Sequence, residues 1–402
     1  MVSSGVTKFR TVPQILFGFD ALAHCGTYLS DRGLQRPLFV IDKIIYKLGT
    51  VSSVVDTMQD EGWNVAIYAD IASEPCIEHV EAGTALYREN RCDCIVAIGG
   101  GSTIDGAKGM AVMATNPGSI RDYQGWDKIT RPRAPLIAAP TTAGTGSEVT
   151  QTAVISDEEN RLKMRILSPL NIPDLAIEDP QLTLSMPPSV TAATGMDALT
   201  HAIEAFISRR RQPLTSAMAL SAIGHIAPRI VRAWAKGDDL DARESMMVGQ
   251  LLAAQAFTNA STALVHGMAR TVGIYFHIPH GMANAMLLPH VMEFTLPAVP
   301  HLFAAIAEAM GERVDGLTLR EKAERAVVAV KRLCRDMAIP TLSDMGVTED
   351  SLPELSEHVF AVKPGTPDYN PRLAKVEDVR KIYYRALYRN ADQNEITTKG
   401  IQ

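Results

Sequence analysis

The stretch Ile95-Val-Ala-Ile-Gly-Gly-Gly-Ser-Thr-Ile-Asp-Gly-Ala-Lys108 decides the fold, because it joins a short apolar run to three glycines and a helical segment. The run at residues 95–98 is typical of a buried strand. Glycine lets a backbone approach a phosphate closely, and the free N–H groups at the beginning of a helix attract an anion. The stretch therefore predicts a strand, a phosphate-binding turn and a helix. It is not the G-x-G-x-x-G fingerprint, and a tight turn without a ligand is the alternative interpretation.

Short apolar runs and helical segments alternate on both sides of this turn. The strand candidates span residues 38–41, 65–68, 136–139, 152–155, 164–167 and 175–177, and the helix candidates span residues 51–62 and 78–90. Such alternation is typical of a parallel sheet covered by helices. We therefore predict an α/β domain with a parallel sheet over residues 1–184.

Beyond residue 185 the chain is rich in Ala, Leu and Met, and helical periodicity replaces the short apolar runs. Helix candidates span residues 191–208, 214–236, 241–259 and 319–336. This pattern predicts an all-α second domain over residues 185–402. Because ligands commonly bind between two domains, we expect the functional site in a cleft between these two.

Two further features follow predicted strands and favour a dinucleotide ligand. The loop Pro140-Thr-Thr-Ala-Gly-Thr-Gly-Ser-Glu148 is dense in hydroxyls that can surround a phosphate or a ribose, although a polar loop capping a helix is the alternative. Asp42 follows the run at residues 38–41, where a carboxylate can accept from a ribose 2′-OH and repel a 2′-phosphate. An ordinary helix N-cap is the alternative for Asp42. With the glycine-rich turn, these features predict NAD(H) as the cofactor.

Bulk properties exclude several classes of function. The net charge of −6, without long charge runs, gives nucleic-acid binding little support, and the basic cluster at residues 209–211 is interpreted as a solvated helix end. Five scattered cysteines predict reduced thiols. The sequence begins without the pattern of a signal peptide, and no apolar run approaches the length of a membrane span. We therefore expect a cytoplasmic protein with no membrane partner.

Four residues of the second domain have the pattern of a metal site. Asp197 and His201 are four residues apart, so a helix places both on one face. His266 and His280 come from a second stretch and complete a set of one carboxylate and three imidazoles. Such ligands suit a divalent first-row metal, iron or zinc, better than magnesium or calcium. His290 is interpreted as a packing residue rather than a fifth ligand.

Four motifs run in a fixed order through the chain. They are the glycine-rich turn up to Lys108, the threonine-rich loop extended to Thr150, the segment Ala193-Thr-Gly-Met-Asp-Ala-Leu-Thr-His-Ala-Ile-Glu204, and Val265-His-Gly-Met-Ala269 continuing to Ile278-Pro-His-Gly-Met-Ala-Asn-Ala-Met-Leu-Leu-Pro-His290. In this order and spacing they resemble the iron-containing (group III) alcohol dehydrogenase family, and within it the lactaldehyde reductase (propanediol oxidoreductase) type. The resemblance covers nearly the whole chain. It implies a dehydroquinate synthase-like architecture, NAD(H)-dependent interconversion of an alcohol and an aldehyde, and a homodimer or larger homo-oligomer.

The resemblance also implies which residues form the site. It implies that Fe²⁺, or in some members Zn²⁺, is held by Asp197, His201, His266 and His280. It places eight residues along the cofactor, namely Gly99, Gly100, Gly101, Ser102, Thr141, Thr142, Thr145 and Lys163. The glycines and Ser102 would contact the pyrophosphate, and Lys163 would lie near the nicotinamide-side ribose. Asp42 would favour NAD over NADP.

The sequence departs from the family pattern at two places. The family has a second histidine four residues after the third metal ligand, near the nicotinamide and the proton path, and this residue is Arg270 here. His277 is one substitute for the proton path, with a partly exposed loop histidine as the alternative. A family Pro-Asn-Pro segment near the cofactor reads Ser73-Glu-Pro75 here.

Arg270 carries a prediction about the substrate. A guanidinium cannot act as a base near neutral pH. Because Arg270 lies four residues after His266, a helix places both on one face, from which the guanidinium can point into the cleft. We predict that it contacts a carboxylate, phosphonate or sulfonate on a short aldehyde or alcohol. The alternative is a structural ion pair or a contact with a cofactor phosphate.

Two other functions would use overlapping residues. A metal-dependent, NAD-using sugar-phosphate cyclase or lyase of the same architecture is the alternative enzyme, and it would need further lysines and arginines for a phosphate. A nucleotide sensor without catalysis is the second alternative, and the complete set of metal ligands argues against it. We therefore predict an NAD(H)-dependent alcohol dehydrogenase whose partner is a small-molecule alcohol or aldehyde.

Overall fold

The computed structural model describes residues 6–72, 74–160, 162–361 and 365–388. This part of the chain contains nine strands: β1 (Gln14–Phe17), β2 (Pro37–Ile41), β3 (Ala66–Tyr68), β4 (Cys94–Gly99), β5 (Gly125–Trp126), β6 (Leu136–Pro140), β7 (Thr152–Asp157), β8 (Leu162–Leu167) and β9 (Leu175–Glu178). Six of them form one sheet in the order β1-β9-β6-β4-β2-β3, in which every pair is parallel. The predicted parallel sheet is confirmed.

The α-helices of the described residues fall into two groups. Five lie between the strands: α1 (Cys25–Ser30), α2 (Lys43–Lys47), α3 (Ser52–Asp60), α4 (Ile77–Glu89) and α5 (Gly101–Thr115). Ten follow the last strand: α6 (Pro188–Ile207), α7 (Pro213–Ile226), α8 (Ile230–Ala235), α9 (Leu240–Ala260), α10 (Leu264–Phe276), α11 (His280–Thr295), α12 (Pro300–Ala309), α13 (Leu319–Asp336), α14 (Leu352–His358) and α15 (Val376–Leu387). The predicted helical second half is confirmed. None of these helices combines the length and the apolar character that a membrane crossing needs.

The central strands of the main sheet are buried on both faces. Phe39 and Val96 belong to one apolar cluster, whereas their neighbours Leu38 and Ile95 belong to another. Alternate residues of a strand point to opposite faces, so the two clusters lie on the two sides of the sheet. Continuous apolar runs such as β4 are typical of a parallel sheet that helices cover on both sides. The later helices have an apolar core of their own.

Two predicted strands belong to a second sheet. The runs at residues 152–155 and 164–167 are strands, but β7 and β8 pair antiparallel and form a three-stranded sheet with β5. β7 alternates between buried and half-buried residues, whereas β4 is buried throughout. Such alternation is typical of a sheet with one solvated face, and it distinguishes β7 from the central strands.

Two other elements differ from the sequence analysis. The predicted helix at residues 214–236 is two helices, because Pro228 lies between α7 and α8 and proline cannot continue the helical hydrogen bonding. β1 was not predicted; it is a four-residue edge strand with two exposed and two half-buried residues, so its apolar pattern is weak.

The carboxyl ends of three central strands bring the predicted cofactor segments side by side. Asp42 follows β2, the glycine-rich turn follows β4, and the threonine-rich loop follows β6. In the register of the sheet, Ile41 lies opposite Ile98 and Gly99 lies opposite Pro140. Ligands of open α/β sheets bind at this edge.

Candidate metal and cofactor site

Three helices bring the four predicted metal ligands together. Asp197 and His201 lie one turn apart on α6, His266 lies near the beginning of α10, and His280 begins α11. The Asp197 carboxylate is 3.9 Å from Nδ1 of His201, 3.6 Å from Nε2 of His266 and 3.9 Å from Nε2 of His280. Asp197, His201 and His266 are buried, and their ligand atoms lie close enough to hold one ion.

A tight turn and a close helix contact produce this arrangement. His277 ends α10 in the left-handed conformation, with φ 54° and ψ 28°, and reverses the chain toward α11. α11 then packs closely on α6, because a Cβ atom at Gly281 would overlap the carbonyl oxygen of Ala193. Only a residue without a side chain lets His280 approach Asp197 this closely.

The donor atoms fit a divalent metal ion. The Nδ2 atom of Asn284 lies 2.6 Å from Oδ1 of Asp197, 3.3 Å from Nε2 of His266 and 3.2 Å from Nε2 of His280. One ligand atom from each of the three side chains therefore lies around a single point, the amide nitrogen of Asn284. Nδ1 of His201 is buried without a hydrogen-bond partner in the described part of the chain, and a buried nitrogen of this kind needs a ligand. One carboxylate with three imidazoles suits iron or zinc.

Glu204 orients one of the imidazoles and was missed by the sequence analysis. Its buried carboxylate accepts from Nδ1 of His266 at 2.6 Å and from the backbone N–H groups of Ala263 and Val265. A donor at Nδ1 leaves the lone pair of Nε2 facing Asp197. The signal was available, because Glu204 lies seven residues after Asp197 and therefore on the same face of α6.

The electrostatics favour the protonation states that metal binding requires at Asp197, His201 and His280. Burial lowers the pKa of His201 to about 3 and that of His280 to about 4. Burial opposes ionisation of Asp197, but the surrounding histidines outweigh it and lower the pKa of this carboxyl. Burial also lowers the pKa of His266, but Asp197 and Glu204 outweigh this effect and raise it to about 9. A neutral His201, a neutral His280 and an ionised Asp197 are competent ligands.

His280 marks the open side of the site. Its side chain is 49% exposed, yet the surrounding protein desolvates it enough to lower its pKa. His280 therefore lies where water reaches the ligand cluster.

The glycine-rich turn and the threonine-rich loop are in contact, as the predicted cofactor site requires. The Thr141 N–H donates to the Gly99 carbonyl at 3.0 Å. A Cβ atom at Gly101 would lie 2.6 Å from Oγ1 of Thr145, and one at Gly100 would lie 3.6 Å from Thr142. Ser102 is half-buried in the first turn of α5. The structure thus brings both loops together at the N-terminus of α5.

Lys108 and Asp105 hold the threonine-rich loop against α5, and the sequence analysis did not predict this role. The buried Lys108 ammonium donates to Oγ of Ser147 and to the carbonyls of Thr150 and Thr152. Oγ of Ser147 in turn donates to Asp105 at 2.5 Å. The side chains of α5 therefore fix the threonine-rich loop, and their i,i+3 spacing within the glycine-rich motif was the available signal.

The threonine-rich loop also reaches the metal-binding helix. A Cβ atom at Gly144 would lie 2.6 Å from Cβ of Thr194 on α6, one turn before Asp197. The threonine-rich loop is therefore in direct contact with the helix that carries Asp197 and His201.

Asp42 and Lys163 already have protein partners. Oδ1 of Asp42 accepts from the N–H groups of Ile44 and Ile45, which makes Asp42 the N-cap of α2. This oxygen therefore has the helix N-cap role that was the alternative interpretation of Asp42. Contact of Asp42 with a ribose stays a prediction. Lys163 on β8 pairs with Glu74 at 2.5 Å. Ser73 begins the segment Ser73-Glu-Pro75, which stands where the family has Pro-Asn-Pro, and it lies outside the described residues.

Arg270 and His277 occupy different environments. Arg270 is half-buried on α10, one turn after His266, and its Nη2 donates to Oγ1 of Thr366 at 3.2 Å. His277 is exposed in the turn before His280, as its alternative interpretation expected. No hydrogen bond or ring contact among the described residues joins His277 to the metal ligands.

Arg165 was also missed. It lies on β8 two residues after Lys163, and alternate residues of a strand point to one side, so both long cations project from the same face. Burial, followed by the charge of Arg270, lowers the pKa of Arg165 to about 10. The sequence signal for Arg165 was weak, because a lysine and an arginine spaced by two residues are common on solvated strands.

Comparison with known proteins agrees with this site. Residues 13–180 match the family model of iron-containing alcohol dehydrogenase, and residues 191–387 match that of the C-terminal part of the Fe-containing alcohol dehydrogenase family. The chain is 41% identical over 380 residues to 1,3-propanediol dehydrogenase of Klebsiella pneumoniae, which is 94% of this chain and 98% of that protein. It is 39% identical over 373 residues to lactaldehyde reductase of Escherichia coli (strain K12), or 92% of this chain and 97% of that protein.

A solved structure extends the similarity to the whole fold. The crystal structure of 1,3-propanediol oxidoreductase matches with a TM-score of 0.92 at 40% identity, over 95% of this chain and 100% of that chain. The resemblance that the four motifs predicted is therefore confirmed. By its motifs, its fold and both of its family models, this chain belongs to the iron-containing alcohol dehydrogenase family.

Proposed function

We propose that this protein interconverts a short-chain alcohol and its aldehyde with NAD(H), at a metal ion held by Asp197, His201, His266 and His280. The observation that carries the proposal is the convergence of one buried carboxylate and three imidazoles beside the glycine-rich turn. The overall reaction, R–CH2OH + NAD⁺ ⇌ R–CHO + NADH + H⁺, moves a hydride between the carbinol carbon and the nicotinamide and releases the hydroxyl proton.

The residues of the metal site divide the chemical work. When bound, the metal ion supplies Lewis acidity, which favours ionisation of an alcohol and polarises an aldehyde carbonyl. The chain keeps Asp197 ionised and His201 and His280 neutral, as binding requires, and Glu204 fixes the ring of His266. The exposed side of His280 leaves space for a substrate oxygen next to the ligands.

The residues of the cofactor site position NAD(H). Gly99, Gly100, Gly101 and Ser102 offer the backbone N–H groups of the N-terminus of α5 to the pyrophosphate. Thr141, Thr142 and Thr145 line the second loop, and Lys163 and Asp42 contact the riboses. We assign the proton path to His277, because it is exposed and lies three residues before His280.

The test measures NADH absorbance with a panel of short aldehydes and alcohols on protein loaded with Fe²⁺ or Zn²⁺. We expect sustained oxidation of NADH, with one alcohol formed for each NADH consumed. In His280→Ala, bound metal and kcat/KM should both fall, the latter by roughly 100-fold or more, since loss of an outer-shell partner alone typically costs 10- to 100-fold.

His290→Ala is the matched control, because it removes a histidine from the same helix, α11. This variant should keep its metal and its activity. Equal metal content in the two variants would contradict the proposed ligand set, and a metal-loaded protein that oxidises no alcohol and reduces no aldehyde would contradict the proposed reaction.

The sugar-phosphate cyclase is the second candidate, and Arg165 is the observation that favours it. This arginine and Arg270 supply the additional cations that a phosphate site would need. The same assay separates the two functions, because a cyclase uses NAD transiently and consumes no free NADH.

Three further proposals concern the whole protein. We place the boundary between the NAD-binding and metal-binding domains at residues 184 and 185, since β9 ends at Glu178 and α6 begins at Pro188. We expect a homodimer or larger homo-oligomer, which light scattering would test. We also expect a cytoplasmic location, consistent with five cysteines that are all free thiols.

A further inference from the structure

We propose that Asn284 is a fifth metal-binding side chain, and that its amide oxygen favours Fe²⁺ over Zn²⁺ at this site. The proposal rests on the proposed function, because it concerns the metal ion that Asp197, His201, His266 and His280 would hold. It adds a ligand that the sequence analysis did not name.

Asn284 lies in the middle of the ligand group. It is fully buried on α11, one helical turn after His280. Its Nδ2 atom lies 2.6 Å from Oδ1 of Asp197, 3.3 Å from Nε2 of His266 and 3.2 Å from Nε2 of His280. These three atoms come from α6, α10 and α11, so a single amide meets one ligand from each of three helices.

A metal ion needs the same lone pairs that face this amide. Oδ1 of Asp197 lies 3.6 Å from Nε2 of His266 and 3.9 Å from Nε2 of His280. Because a metal ion lies roughly 2.0–2.2 Å from such ligand atoms, an ion bound by all three lies between them and beside the amide. The hydrogens of an N–H group carry partial positive charge and repel a cation, so Nδ2 cannot stay directed at the ion.

The other end of the same amide has the lone pairs that a cation needs. Oδ1 of Asn284 is buried, and it has no hydrogen-bond partner in the described part of the chain. The oxygen and nitrogen of a planar amide have nearly the same size, so a half-turn about the Cβ–Cγ bond exchanges them with little other movement. After this half-turn Oδ1 faces the ion, and the ion replaces the N–H group as the partner of Asp197.

An amide oxygen as a fifth ligand favours iron over zinc. Zn²⁺ is most often satisfied by four ligands, which one carboxylate and three imidazoles already provide. Fe²⁺ sites in proteins use more positions than four, so Fe²⁺ gains more from an additional oxygen. Turning the amide away from its three partners costs the same for both ions. This cost therefore cancels in the ratio of the two affinities, which leaves the contribution of the oxygen.

The test measures the ratio of Fe²⁺ affinity to Zn²⁺ affinity, each determined without oxygen by competition with a chelator. Asn284→Leu has nearly the shape of the parent side chain, carries no oxygen and leaves no space for an added water molecule. We expect the ratio to fall about 10-fold or more in this variant, since a contact with a charged group is worth about 10- to 150-fold.

Two further variants make the comparison independent of how well Asn284→Leu folds. Asn284→Asp keeps an oxygen at this position and should keep the preference for Fe²⁺, although its charge strengthens the binding of both ions. Asn284→Ala leaves space for a water molecule, whose oxygen partly replaces the amide, so its ratio should lie between those of the parent and Asn284→Leu.

Bound Co²⁺ gives a second measurement that needs no turnover. Its visible absorption is strongest when four ligands surround it in a tetrahedron and weaker when it has five or six. We expect stronger absorption from Co²⁺ in Asn284→Leu than in the parent. Water at the exposed side of His280 is common to both proteins, so it does not produce this difference.

Asn370→Leu is the matched control, because it removes another buried amide, whose partners are Thr295 at the end of α11 and the carbonyl of Arg372. It should lower the thermal midpoint and leave the affinity ratio and the Co²⁺ spectrum unchanged. Equal changes of both affinities in Asn284→Leu, with the Co²⁺ spectrum of the parent, would show that Asn284 only positions the other ligands and would overturn the proposal. A parent that binds none of the three ions would instead contradict the proposed metal site, and this proposal with it.

Discussion

At the scale of the residue, the site depends on side chains that do not touch the metal. Glu204→Gln replaces an oxygen that accepts from Nδ1 of His266 by an amide, which has only one oxygen for three donors. If the amide nitrogen faces the ring, Nδ1 must become the acceptor, and the proton moves to Nε2, where it blocks metal binding. We expect Fe²⁺ or Zn²⁺ affinity, measured by competition with a chelator, to fall about 10- to 100-fold.

Glu293→Gln is the matched control, since it makes the same change at a partly exposed carboxylate that pairs with Lys331. Its metal affinity should equal that of the parent. Should Glu204→Gln bind metal as tightly as this control while its thermal midpoint falls, Glu204 would be a structural residue and not a positioning one.

Residue identities could be predicted where local spacing determines the geometry. Asp197 and His201 share a helical face whatever the rest of the chain does, so their meeting followed from the sequence. Asn284 illustrates the limit. Its amide meets three ligands from α6, α10 and α11, and no local pattern reports the crossing of three helices.

At the scale of the element, the metal site depends on the approach of α11 to α6. In Gly281→Ala the new methyl group would meet a backbone carbonyl, that of Ala193, which cannot rotate away, and would lie 3.3 Å from Cβ of Asp197. Overpacking of this kind costs about 1–3 kcal/mol. We expect a lower thermal midpoint and weaker metal binding, because α11 must move and take His280 with it.

The helix α7 provides the comparison. A Cβ atom at Gly224 would find its nearest neighbour at 3.5 Å, which is ordinary contact, so Gly224→Ala should be neutral or stabilising by up to about 1 kcal/mol. Metal affinity should not change in this variant. The close contact between the helices would not matter if both alanine variants bound metal equally well.

Elements were predictable where their own pattern determines them, and less so where pairing does. The continuous apolar runs of β2, β4 and β6 predicted strands of a covered parallel sheet. The runs at 152–155 and 164–167 predicted strands correctly but not their sheet, because partners depend on contacts far apart in sequence. Pro228 was a local signal, and the sequence analysis continued the helix across it.

At the scale of the whole molecule, the two halves of the chain meet at a contact that no motif reported. Gln250 of α9 donates to Glu148 in the threonine-rich loop at 3.0 Å and to Glu178 at the end of β9 at 3.2 Å. All three side chains are buried. A Cβ atom at Gly146, where φ is +68°, would overlap the side chain of Ala254 on α9. The fold class followed from the alternation of elements, whereas this contact depends on how the halves dock.

This contact predicts a specific dependence of stability on pH. Burial, followed by the charge of Glu148, raises the pKa of Glu178 well above its usual value, so Glu178 keeps its proton at pH values where an ordinary glutamate has lost it. An unfolded glutamate releases its proton near pH 4.3. The folded state then holds a proton that the unfolded state has lost, and the stability from this group falls as the pH rises from about 4.3 toward the folded pKa.

Glu178→Gln replaces the protonated carboxyl by an amide of similar shape that has no proton to lose. Relative to the parent, its free energy of unfolding should therefore rise between pH 5 and pH 8, by about 1.4 kcal/mol for each pH unit of the raised interval that the measurement spans. Urea unfolding at several pH values measures this difference. The histidines with lowered pKa values and the nearby Lys108 are present in both proteins, so their contributions to the pH dependence cancel. Glu293→Gln, at a partly exposed ion pair, should run parallel to the parent. If the curve of Glu178→Gln also runs parallel to that of the parent, both carboxylates in the contact between the halves are ionised. The compensating cation would then be Lys108, whose charge already acts on Glu148.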